Sequence, residues 1–190
     1  RTAKSGTLPP AMADTAGLKI PPHSLEAEQA TLGSLLIDKD AVIKIADRLR
    51  AEDFYVEKNA FVYDAMLTLY QKHEPVDIIS LSNVLQERGQ LDSIGGRSFL
   101  VSLSNAVPTA ANIIQYANII QKKSTLRRLQ GAAGTIIELS RDEGEDVSAL
   151  LDQAEQSLFS VSQRFLRQNF INIRDVLDEA FDRIDKLHHE

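Results

Sequence analysis

The chain contains no cysteine, which excludes disulfides, thiolate metal sites and thiol nucleophiles together and leaves packing as the source of stability. No run approaches the ~18 consecutive apolar residues of a membrane span, and the first residues lack the charged-then-apolar pattern of a secretion signal. A soluble cytoplasmic protein without a membrane partner is therefore expected. Positive charge is in deficit. Lys and Arg number 21 against 27 Asp and Glu, for a net charge of −6, so the overall field opposes a phosphate backbone.

The vocabulary of catalysis is missing too. None of the nine glycines belongs to a G-x-x-x-x-G-K-[ST] phosphate loop, and Gly131 and Gly134 lie inside a helical pattern rather than after a strand. His23, His73, His188 and His189 form no Glu-x-x-His or His-Glu-x-x-His arrangement, and the adjacent His188 and His189 point to different sides of a helix. Serines and carboxylates fall at caps and on solvent-facing positions, with no Ser, His and acid constellation. The expectation is no catalytic residue, no cofactor site and no metal site in this chain.

What is present is helical periodicity. The chain is 190 residues long and 43% hydrophobic, enough for one ordinary domain and an appendage. Residues 1–17 are small, polar and aperiodic and read as a disordered arm. Ser24 is a good N-cap for a first helix, whose Glu26 and Glu28 suit the positive helix end. Leu25, Ala27, Leu32, Leu35 and Leu36 fit a buried stripe, and small Ala30, Gly33 and Ser34 would let another helix approach closely. Asp38 and Asp40 can cap a second helix carrying Val42, Ile43, Ile45, Ala46 and Leu49, followed by Phe54 and Tyr55 as core plugs. A third helix spans about Asn59 to Lys72 and ends at Pro75. Asp77 or Ser80 caps a fourth, stopped at Gly89. Gly95 and Gly96 turn the chain into a short fifth helix with Phe99, Leu100 and Leu103.

Beyond Pro108 the helical pattern persists from about Thr109 to Arg141, longer than a small globule is wide, so its distal half should project. Gly144 reverses the chain, and Val147, Leu150, Leu151, Ala154, Leu158, Val161 and Phe165 mark a returning helix. An antiparallel hairpin is the simplest arrangement. Two helices alone make a thin core, so the remaining apolar face should pack on another copy or a partner. A linker at 166–171 leads to an amphipathic helix within 172–190, with Ile173, Val176, Leu177, Ala180, Phe181, Ile184 and Leu187 on one face. It can dock on its own hairpin or on a neighbour. The one basic cluster, Lys122, Lys123, Arg127 and Arg128, reads either as a solvated helix face or as a direct contact to single-stranded DNA.

Four motifs, in register, carry a resemblance: Ile20-Pro-Pro-His-Ser-Leu-Glu-Ala-Glu-Gln29, Asp53-Phe-Tyr55, Ile94-Gly-Gly96 and Pro108-Thr-Ala-Ala-Asn112. From about Leu18 to His188 the chain resembles the N-terminal part of the DnaB family of replicative helicases. The resemblance implies an all-α fold: a six-helix globule over 18–108, a projecting antiparallel hairpin over 109–165 and a separate linker helix that packs on the ATPase domain of the neighbouring subunit. It implies dimers that close a ring as a trimer of dimers, a primase and a helicase loader as partners, and 5′ to 3′ movement along single-stranded DNA. That movement would be driven by ATP and Mg in a C-terminal domain, none of whose catalytic residues is in this chain. By similarity the primase-facing positions are Glu26, Phe99, Gln130 and Ile136, with core packing as the alternative for Phe99 and Ile136. Gln130 is polar where the family commonly has an apolar residue.

Overall fold

Eight α-helices and one short 3-10 helix, with no strand among the described residues, build residues 20–168, the part described by the computed structural model. The expected arm 1–17 and amphipathic helix 172–190 lie outside the described residues. Six helices precede Pro108: α1 (Leu25–Ile37), α2 (Ala41–Ile45), α3 (Glu57–Gln71), α4 (Ile78–Glu87), α5 (Leu91–Ile94) and α6 (Gly96–Ser104). The 3-10 helix, Ala51–Asp53, lies between α2 and α3, and the hairpin is α7 (Ile113–Leu139) and α8 (Val147–Gln168).

Helix α1 is the centre of the globule. Ser24 caps it, its hydroxyl accepting from the Ala27 N–H at 3.3 Å. It packs on α3, α6 and α7, so it is buried nearly all round from Ala30 to Leu35 rather than along one stripe, while Leu25 at its start stays exposed. Buried Thr31 and Ser34 turn their hydroxyls back to the carbonyls of Ala27 and Ala30 at 2.8 and 2.7 Å, which satisfies them without a partner helix. The small-residue expectation holds at Gly33: a Cβ there would lie 2.3 Å from the Leu103 carbonyl oxygen on α6. The backbones of α1 and α6 touch.

Helix α3 supplies Val62, Tyr63, Ala65, Met66 and Leu69, all fully buried. The Tyr63 hydroxyl donates to the Leu49 carbonyl at 3.3 Å, and burial, with Asp53 and Asp47 nearby, pushes its pKa far up. The helix stops before Pro75. His73 takes φ 59°, and the Glu74 N–H returns to the Leu69 carbonyl at 2.9 Å, a left-handed C-terminal cap normally given to glycine. Gly89 closes α4 in the same way, with φ 67° and Gln90 N–H to Leu85 O at 2.8 Å. Of the two caps open to α4, the side chain that bonds is Asp77, accepting from Ser80 N–H at 2.8 Å.

Several expectations shift. The second helix ends at Ile45, and Leu49 reaches the core from the turn after it; Asp38 takes the Asp40 N–H at 3.0 Å and Asp40 makes no side-chain cap. Phe54 is buried, but Tyr55 is partly exposed and stacks on His23. Helix α5 was not visible in the periodicity, because four residues are little more than one turn. The long helix starts at Ile113, since the Thr109 hydroxyl captures the Ala111 N–H at 3.2 Å and holds residues 108–112 in turns. Helix α8 runs to Gln168, three residues past the expected 165.

Two predictions follow from these contacts. Gly33→Ala forces α1 and α6 apart at a backbone atom and should lower stability by about 2–3 kcal/mol in chemical denaturation. Asp77→Ala should cost about 1 kcal/mol or less at neutral pH. The Ser80 amide hydrogen bond holds the Asp77 carboxyl below the usual carboxylate range. Its stabilisation is therefore complete above the unfolded pKa and is lost as pH falls through the folded one. The difference between the two chains should shrink in acid, and a constant difference from pH 7 to pH 2 contradicts this origin.

Candidate assembly surface on the helical hairpin

The first half of α7 is a wall of the globule. Ile113, Ala117, Ile120 and Ser124 are buried there, and α1 and α2 pack along them. Spanning about 40 Å at 1.5 Å per residue, the helix then leaves the globule, and α8 packs back along its distal half.

The exit is fixed by Asp53, whose side chain has no solvent exposure. Its Oδ2 accepts from the Arg50 N–H at 2.8 Å, and Oδ1 accepts from the Ser124 hydroxyl at 2.8 Å and from the Arg128 guanidinium, both on α7. Next to it Arg127 donates to the Pro22 carbonyl at 2.7 Å and the Asp53 carbonyl at 2.6 Å. Its guanidinium lies 5.6 Å from the centre of the Tyr55 ring. Tyr55 stacks in turn on His23, centroids 4.4 Å apart. Desolvation pulls the Arg127 pKa down, and Glu28 and Asp53 push it back up. Glu28, itself buried, accepts from Tyr55 N–H at 2.6 Å, Val56 N–H at 3.3 Å and Asn59 Nδ2 at 2.8 Å. On α8, Arg164 pairs with Glu52 of the 3-10 helix.

This arrangement divides the basic cluster. Lys122 is exposed and Lys123 half-buried, whereas Arg127 and Arg128 are bound by carbonyls and a carboxylate of the globule. A phosphate would have to displace those partners, so the geometry does not favour the reading of a four-cation DNA contact. No group of three or more His, Asp or Glu residues that could hold a metal occurs among the described residues, and none of their helices is long and apolar enough to cross a membrane.

Exposed apolar side chains concentrate on the hairpin. The returning stripe splits into two faces. Leu150, Ala154, Ser157, Val161 and Arg164, alternating three and four apart, are the partly covered face of α8. Val147, Leu151, Leu158 and Phe165 stand beside them, 68%, 60%, 43% and 46% exposed. Leu151, Leu158 and Phe165 recur every seven residues, so they form one narrow seam of coiled-coil spacing. Ile119, Leu126 and Ile137 are likewise exposed on α7.

The four similarity-based positions lie on three elements. Glu26 is exposed in the first turn of α1, and Gln130 is exposed on α7. Ile136 is half-buried and six residues from Gln130, about 120° round the helix, so the two do not share a face. Phe99 on α6 packs partly against the core, with the Lys58 ammonium 4.1 Å from its ring centre. Of the residues that position the surface, the sequence gives Glu28 only as a first-turn acid and Asp53 only as part of a motif, and it does not single out Glu52 or Arg164. The available signal was the Asp53-Phe-Tyr55 motif, whose first residue is the buried anchor.

Comparison with known proteins agrees with this geometry. Residues 20–122 match the family model for the DnaB-like helicase N-terminal domain. The chain is 40% identical over 171 residues to the replicative DNA helicase DnaB of Geobacillus stearothermophilus, covering 90% of this chain and 38% of that protein. It is 39% identical over 178 residues to the replicative DNA helicase DnaC of Bacillus subtilis, covering 94% and 39%. The chain thus spans less than two fifths of these relatives. Among solved structures, the N-terminal domain of DnaB helicase from Mycobacterium tuberculosis superposes with a TM-score of 0.72 at 40% identity, over 74% of this chain and 99% of that one. The N-terminal domain of DnaB helicase from Helicobacter pylori, described with its interactions with primase, shares the fold at a TM-score of 0.54 and 24% identity, over 60% and 89%. The chain belongs to the DnaB-like helicase N-terminal domain family.

Proposed function

We propose that this chain is the assembly and partner-docking module of a replicative ring helicase, and that it acts by pairing with a second copy of itself through α8. The observation that carries the reading is the exposed seam of Val147, Leu151 and Leu158, which a hairpin of two helices cannot cover alone. Packed against the same seam of another chain it becomes the core of a four-helix arrangement. Three such dimers would close a six-membered ring, as the resemblance implies. ATP with Mg, single-stranded DNA and 5′ to 3′ movement belong in this proposal to a C-terminal motor domain, and the helicase loader to the assembled ring. The ring would present a surface to primase through Glu26, Phe99, Gln130 and Ile136. The Helicobacter pylori relative, known with its interactions with primase, supports that partner. The linker segment with Ile173, Val176, Leu177, Ala180, Phe181, Ile184 and Leu187 would dock on the neighbouring subunit.

Leu158→Asp puts a charge in the middle of the seam at a position that is already solvent-exposed, so the monomer should fold. Its self-association in sedimentation equilibrium should weaken at least tenfold, about 1.4 kcal/mol or more. An unmutated chain that stays monomeric at every accessible concentration would overturn the pairing. Glu26 is exposed, and Glu26→Lys should leave thermal stability nearly unchanged while weakening binding to a primase C-terminal domain about three- to tenfold. Unaltered affinity in calorimetric titration removes Glu26 from that surface.

A further inference from the structure

Two consecutive carboxylates of the 3-10 helix each hold an arginine from a different helix of the hairpin. Asp53 takes Arg128 of α7, and Glu52 takes Arg164 of α8. The pairs differ in their access to water. Asp53 is fully buried, so opening its pair would strand a charge. The Glu52 side chain is 58% exposed and Arg164 29%, which makes their pair weak and open to screening by salt.

Beside that pair the packing of α8 on α7 is loose. An open cleft of about 340 Å³ lies between α7 and α8, lined by Arg128, Arg164 and Val161 and otherwise by Gly131 and the small side chains of Ala132, Thr135, Ser157 and Ser160. A Cβ at Gly131 would touch nothing. The Arg164 Nε is buried without a hydrogen-bond partner, so the guanidinium is not anchored through that atom. Helix α7, by contrast, is fixed to the globule by α1, α2 and Asp53.

We infer that Glu52 and Arg164 form a clasp that sets where the C-terminal end of α8 lies against the globule, and that opening it lets α8 swing away from a stationary α7. Both are positioning residues. Leu158 of the exposed seam lies on the same helix, less than two turns before Arg164, so the clasp decides how the C-terminal end of that seam is placed. This consequence rests on the proposed pairing through α8; the motion itself does not.

Because the chain has no native cysteine, two spin labels can be placed cleanly, at Glu87→Cys on α4 and Gln163→Cys on α8. Both native positions are exposed. Distances are measured by double electron–electron resonance, with labelled chain diluted into unlabelled chain so that only intramolecular pairs are read. Glu52→Gln and Arg164→Gln should each raise the longer-distance population about two- to fivefold, as loss of a partly exposed ion pair predicts. The exchange Glu52→Arg with Arg164→Glu should restore the original distribution. Raising salt from about 0.05 to about 1 M should reproduce the shift in the chain with the native pair and add nothing to Glu52→Gln. Identical distributions in all chains, or an exchange that fails to restore the distance, would overturn the clasp. Loss of self-association in Leu158→Asp bears only on the pairing, and an unmoved distance bears only on the clasp.

Discussion

A carboxylate without solvent has to be fully partnered, and in this molecule that carboxylate is Asp53. An ionised group in a low-dielectric interior is tolerated only with opposite charge and hydrogen bonds around it. Here they come from the Arg50 amide and from Ser124 and Arg128 of α7. Removing one partner of such a site costs ~3–5 kcal/mol, a large share of the total stability of a domain. Helix α7 therefore cannot leave the 3-10 helix while the globule stays intact. The neighbouring Arg127 extends the same constraint to Pro22 and Tyr55, so the segment before α1 and the root of the hairpin are held at one point.

Function of this kind is written in what remains uncovered. The globule closes its own core, with α3 fully buried along one side and α1 enclosed by four helices. The hairpin does not, and its apolar positions divide between one face partly covered within the hairpin and another that is more exposed. No reacting group is needed for such a surface to act. In the proposed pairing its specificity resides in seven-residue spacing and in the angle at which the globule presents it.

The order of the longer helices, the close approach at Gly33, the stop at Gly89 and the reversal at Gly144 were legible in the sequence, because each depends on a local property: periodicity, the lack of a Cβ, a left-handed cap, a break in the apolar pattern. The division of the α8 stripe was not, since Ala154 and Leu158 look equally apolar until the position of α7 is known. Charged residues were the hardest to read. Glu28 has the place of a favourable first-turn acid and is in fact a buried acceptor for three donors of a segment some thirty residues on. Arg127 and Arg128 looked like free cations because their partners, Pro22 and Asp53, lie 105 and 75 residues away. Long-range pairing leaves no periodic trace. The left-handed His73 was invisible for another reason: it occupies a conformation most residues avoid.

The backbone contact between Gly33 and the Leu103 carbonyl also bears on how the chain is made. Helix α1 leaves the ribosome before α6 and α7, to which the surfaces that cover it belong. Its Leu32 and Leu35, fully buried in the end, have no complete shelter until the chain has been synthesised past Ile120. Contacts of such sequence separation delay closure of a core. The hairpin, whose two helices are neighbours in sequence, can form as soon as both exist, but the root that aims it is the last part of the globule to be completed.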